Sequence, residues 1–194
     1  MHRWMVLVML CAGLAATVPA LADDAREEDK KQLGALLRVV EQNLNDQDID
    51  ALVHHLSPDV TVTWLSGEIT HGRDAVSAHL HKMLVGPDAV VAAYRAKPVG
   101  VGEPRFFDNL ALAFGTSEDA FKMPNGFSFA LHTRWTALSI KENGTWRVLA
   151  LHLSSNVFDN DLIAQGKRAG WLIGLGGFVL GALLTLLLRR RRAG

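Results

Sequence analysis

The chain has 194 residues, and its twenty Lys and Arg balance twenty Asp and Glu, with one cysteine, Cys11. One cysteine excludes an intramolecular disulfide and thiolate metal clusters. The neutrality hides a division. All twenty acidic residues fall within residues 23–166, against thirteen basic ones, a net charge of about −7 that leaves no electrostatic footprint for nucleic acid.

Residues 1–22 open with Met1-His2-Arg3, continue as an apolar run over 4–18, and end in Pro19-Ala20-Leu21-Ala22 before Asp23-Asp24. A basic start, a short apolar run and a small-x-small end predict a cleaved secretory signal peptide. The run is too short to cross a bilayer. Cleavage also removes Cys11.

Residues 23–160 read as one domain. Leu33, Leu36, Leu37, Val40 and Leu44 recur at helical spacing and predict a helix over 26–45. Asp48 is a candidate N-cap for a short helix over 49–56, which Ser57-Pro58 ends. "DVTVTWL" alternates as a strand, Gly67 turns the chain, "EITHG" returns, and "GRDAVSAHLHKML" reads as a third helix. Strands are expected over 89–101, 105–116, 126–140 and 145–158, with "ENG" as the turn between the last two. The expected class is α+β: N-terminal helices packed on a curved antiparallel sheet that forms a conical cavity.

Residues 161–168 read as a linker. Residues 169–188 carry no charge and are flanked by Lys167-Arg168 and by four arginines, Arg189 to Arg192. Twenty helical residues span about 30 Å, the thickness of the hydrocarbon core. A single transmembrane helix is expected, with the basic tail 189–194 on the cytoplasmic side. Both ends then agree on one topology: a periplasmic domain held at the bacterial inner membrane by one C-terminal span.

"LLRVVEQNLNDQDIDALVHHLSPDVTVTWLSGEITHGRDAVSAHL" resembles the opening of nuclear transport factor 2-like, SnoaL-like domains. It has their helix, polar-Asp-hydrophobic-Asp bend, short helix, strand and G-[RK]-[DE]-A-[IV] motif. "TRWTALSIKENGTWRVLALHLSSN" is similar to their closing hairpin. The resemblance spans about residues 27–158 and implies the fold, whereas this fold hosts isomerases, cyclases, hydratases and pure binders. Ketosteroid isomerases of this fold use a tyrosine on the first helix, an aspartate at the end of the first strand and a second acid on a later strand. The matching positions here are Val40, Trp64 and Thr136, so steroid isomerisation is not implied.

The last hairpin separates into two faces at an even register, with His132 opposite Ser154 and Arg134 opposite His152. His132, Arg134, Thr136, His152, Ser154 and Asn156 share one face, and Leu131, Trp135, Leu149, Leu151 and Leu153 the other. The polar row either lines the cavity or is the wet side of the sheet. The resemblance, in which the histidine of the last strand faces the cavity, favours the lining.

On that reading Trp64, His132, Arg134, Thr136, His152, Ser154 and Asn156 contact a small, partly apolar ligand, with Trp64 walling the cavity or simply filling the core. His152, His132 and Arg134 are the candidates for isomerase, cyclase or hydratase-type acid–base chemistry. Ser154 and His152 sit at i, i+2 on one strand without a nucleophile elbow, which argues against a Ser–His hydrolase. His54/His55 and His79/His81 lack the i, i+4 spacing of metal ligands, so neither a metal nor a cofactor is expected. A homodimer is expected through the sheet face of Trp135 and Leu149 to Leu153 and through Gly170, Gly174, Gly177, Gly181 and Thr185 of the span. A purely structural, dimeric assembly module is the remaining alternative.

Overall fold

The computed structural model describes residues 18–158 and 160–192. Residues 1–17, most of the expected signal peptide, lie outside the described residues. Helix α1 (Val18–Asn45) begins before residue 26, because residues 18–25 carry three alanines and a leucine, good helix formers, with Pro19 placed in the first turn where its missing N–H costs no hydrogen bond. The Asp48 side chain caps α2 (Ile49–His54) by accepting from the Ala51 amide at 3.0 Å. Strand β1 (Leu56–Thr63) starts ahead of Pro58, earlier than expected, because the Val148 amide donates to the His55 carbonyl and draws the chain into the ladder. The short β2 (Ile69–His71) and α3 (Arg73–Leu84) follow.

Five further strands and a long helix follow: β3 (Ala93–Val101), β4 (Arg105–Phe107), β5 (Leu110–Lys122), β6 (Ser128–Glu142), β7 (Thr145–Ser155) and α4 (Asp161–Arg192), with β4 a spur on β5. The expected strand over 105–116 is broken at Asp108, whose φ of 50° makes a tight turn between β4 and β5. The sheet order is β2-β1-β7-β6-β5-β3. It is mixed rather than purely antiparallel, because β1 pairs parallel to β7 after the chain has crossed through α3 and the meander.

Helices α1, α2 and α3 cover one face of this sheet. Ile49, Leu52, Val60, Val62, Val76, Leu80, Leu84 and Val91 form the main core, and Leu36 of α1 meets Ala111 and Trp146 in a second cluster. Asp29 pins α1 to the last hairpin. Its Oδ1 accepts from Lys141 Nζ at 2.6 Å and from Trp146 Nε1 at 2.9 Å. Asn45 clips the other end of α1 to β3 through paired hydrogen bonds with the Ala96 backbone.

The register of the last hairpin is even but offset by two residues from the expected one. Asn143 (φ 50°) and Gly144 (φ 78°) form a two-residue turn, which alone would pair even-numbered positions of β6 with odd-numbered ones of β7. A bulge at Leu149 inserts one extra residue and restores parity, so Arg134 lies opposite Ser154 and Thr136 opposite His152.

Candidate functional site

The polar row lies on the outer face. His132, Arg134, Thr136, His152 and Ser154 are all exposed and share the side of the sheet turned away from the helices, with Thr116 and Glu118 beside them on β5. Asn156 is exposed past the end of β7, where its Oδ1 accepts from the Phe158 amide. Leu151 of the alternate set packs against the core, and parity then sends its neighbours outward. The row is the wet side of the sheet, not the lining of a cavity. Trp64 is separated from it. It packs against the core, donates its indole N–H to Thr70 Oγ1 at 3.0 Å, and stacks on buried His79 with ring centroids 4.2 Å apart. His79 Nδ1 lies 3.4 Å from Glu68 Oε2.

On the helix-facing side the structure places a polar group that the sequence reading passed over. Asp119 of β5 is only 4% exposed. It accepts from Ser117 Oγ at 2.7 Å on Oδ1 and from Thr133 Oγ1 at 2.6 Å on Oδ2. Burial, with the Asp119 carboxylate beside it, pushes the Tyr94 phenol far above its ordinary range. Among the described residues no ion pair includes Asp119. Half-buried Leu131, Trp135 and Leu153 occupy the same face of β6 and β7. A carboxylate held by hydroxyls in apolar surroundings can accept from a ligand hydroxyl or amine, or take a proton.

The signal for Asp119 was present in the period-two alternation. Ala111, Ala113, Gly115, Ser117 and Asp119 fall on one side of β5, but the expected strand stopped at residue 116. Trp135 packs across that face, so close to Gly115 that a Cβ there would collide with its indole. Among the described residues no cluster of three His, Asp or Glu suited to a metal is found. A shallow cleft of about 310 Å³ lies at the sheet edge, lined by Pro58, His71, Gly72, Arg73 and Asp74.

The last helix contains one stretch, Asp161–Leu186, long and apolar enough to cross a membrane. No protein-family model matches this chain, nor does any curated protein. Solved structures do. A cystatin-like-fold protein from Caulobacter vibrioides is 21% identical, with a TM-score of 0.56, covering 66% of this chain and 90% of that one. A putative scytalone dehydratase from Novosphingobium aromaticivorans is 13% identical, with a TM-score of 0.62 over 70% of this chain and 89% of its own. A type 2 hexachlorocyclohexane dehydrochlorinase is 12% identical, with a TM-score of 0.62 over 69% and 89%. With the helices on one face of a curved mixed sheet and these structural neighbours, the domain has the nuclear transport factor 2-like, or ketosteroid-isomerase-like, fold.

Proposed function

We propose that this protein is a membrane-tethered domain that binds a small, partly apolar ligand on the helix-facing side of its sheet, against Asp119. One observation carries the reading: a buried carboxylate held by the Ser117 and Thr133 hydroxyls with the Tyr94 phenol beside it, in no ion pair among the described residues, among half-buried Leu131, Trp135 and Leu153. Burying a carboxyl group is costly unless its lone pairs are satisfied, and a ligand donor would satisfy those that Ser117, Thr133 and Tyr94 leave free. The ligand is accordingly an apolar body bearing a hydroxyl or amine. The domain lies in the periplasm, the span in the bacterial inner membrane, and the arginine tail in the cytoplasm. The pattern of residues 1–22 and the four arginines after the span support that orientation.

A second reading, acid–base catalysis at the same carboxylate, is favoured by the activities named for two structural neighbours, a dehydratase and a dehydrochlorinase. The outer-face His132, His152 and Arg134 have no part in either reading.

The experiment is native mass spectrometry of the detergent-extracted protein, comparing wild type with Asp119→Asn. The expected result is a small-molecule adduct on the wild type that is lost from a variant whose near-ultraviolet circular dichroism is unchanged. Equal adduct on both, or none on either, overturns the proposal.

A further inference from the structure

The start of α4 is tied to β6. The Ala130 amide donates to Asp161 Oδ2 at 3.2 Å, and Gln165 Nε2 donates to the Ser128 carbonyl at 3.3 Å. From Asp161 to Gln165 a helix rises about 6 Å. From Ala130 back to Ser128 a strand covers about 7 Å. The two elements therefore run side by side in opposite directions. The turn joining β5 to β6 consequently lies level with the residues that follow Gln165, namely Lys167, Arg168 and the uncharged stretch from Ala169.

That turn is Met123-Pro124-Asn125-Gly126-Phe127. It is closed by hydrogen bonds from the Met123 amide to the Phe127 carbonyl and from the Gly126 amide to the Met123 carbonyl, with Gly126 at φ 86°. Asn125 Oδ1 accepts from the Phe127 amide at 3.0 Å and holds the loop in shape. Pro124 is exposed and Phe127 is 40% exposed, so the tip offers water an apolar ring and a proline together. The tip has no acidic residue, and Lys122 stands exposed at its base, although the domain as a whole is strongly acidic.

We infer that this β5–β6 turn is a second membrane contact, seated in the headgroup layer beside the span. The inference rests on the reading of α4 as a transmembrane helix. The headgroup layer is about 5–7 Å deep on each side of the hydrocarbon. Phe127 lies about one strand residue beyond Ser128, which puts it level with Lys167 and inside that layer. An aromatic ring is at home there, and Lys122, Lys167 and Arg168 complement anionic headgroups. Two attachments hold the domain in one orientation on the bilayer. A row of rings then leads inward from the membrane: Phe127 to Phe129 at 5.7 Å, Phe129 to Phe121 at 4.9 Å, and Phe121 to Tyr94 at 5.0 Å, beside Asp119.

The test uses the full chain in a Cys11→Ser background, reconstituted in vesicles of phosphatidylethanolamine and phosphatidylglycerol. Single nitroxide labels are placed at Pro124→Cys, Leu175→Cys and Asn109→Cys, and power saturation compares accessibility to oxygen and to a nickel chelate. Leu175→Cys reports the span, and Asn109→Cys reports the opposite end of the sheet. The expected result is that the label at position 124 is shielded from nickel, and that adding Phe127→Asp returns it to the value at position 109. A label at 124 as open to nickel as that at 109, while 175 is shielded, overturns the turn contact and leaves the span standing. A label at 175 open to nickel overturns the span and the contact together.

Discussion

Two buried aspartates do different work in this domain. Asp29 joins elements: one carboxylate oxygen takes hydrogen bonds from both strands of the last hairpin. Burial alone would raise its pKa, but the hydrogen bonds from Lys141 and Trp146 outweigh that and leave it below the ordinary aspartate value of 3.8. The folded chain thus keeps Asp29 ionised to lower pH than the unfolded chain does, so unfolding takes up a proton. Its contribution is complete above the unfolded value and is lost as pH falls through the folded one. Urea melts of wild type should therefore weaken below about pH 4, and Asp29→Asn should show a smaller loss over that window. Thr133 is buried and donates to Asp119, so Thr133→Val removes a hydrogen bond to a charged acceptor. It should cost about 1.5–3 kcal/mol by denaturant unfolding. His152, by contrast, is exposed on the outer face, and His152→Ala should move stability by no more than about 0.5 kcal/mol and leave ligand occupancy unchanged.

At the scale of elements, the decisive local device is the Leu149 bulge. The Asn143-Gly144 turn sets one parity and the bulge sets the other, so the row His152–Ser154 joins Arg134 and Thr136 outside while Leu151 and Leu153 stay inside. Deleting Leu149 would leave every facing pair in place as one regular ladder, whereas inserting a residue after Ala150 would force β7 either to break its pairing or to turn Leu151 and Leu153 to water. The insertion should abolish the cooperative near-ultraviolet transition, and the deletion should keep it. Gly144→Ala, which strains a left-handed turn but leaves the register alone, should cost about 1–2 kcal/mol and remain cooperative. The alternation of both strands was legible in the sequence, and so was the need for an even register. The bulge was not, because nothing in "RVLALHLS" distinguishes Leu149 from the leucines that follow it.

At the scale of the whole molecule, placing Leu151 and Trp135 on the inner face removes them from any sheet-to-sheet contact between copies. A dimer would instead use the outer face, where Phe107 and Phe114 are exposed, together with the span. Thr185 turns its hydroxyl back to the Gly181 carbonyl at 2.8 Å, which leaves Gly177, Gly181 and Thr185 a smooth stripe for close helix approach. Crosslinking in native membranes should accordingly trap a dimer in wild type and much less in the Gly177→Ile/Gly181→Ile double variant. Equal yields would exclude the stripe. Protease added to spheroplasts should shed the domain but spare the arginine tail, and N-terminal sequencing of the mature protein should begin at Asp23.

What the sequence by itself determined lies along the chain: the order of helices and strands, the two unlike faces of the last hairpin, the uncharged stretch before the arginines, and the single thiol. These are matters of periodicity and composition, which neighbouring residues settle among themselves. Which face of the sheet meets the helices was settled only in three dimensions, where Leu36 of α1 reaches Ala111 and Trp146, and the α2–α3 core takes up Leu151. The same packing buried Asp119, whose partners come from Ser117 on its own strand, Thr133 on β6 and Tyr94 on β3. A period-two pattern says that two faces differ. Only the elements that arrive from elsewhere in the chain choose which of them is kept from water.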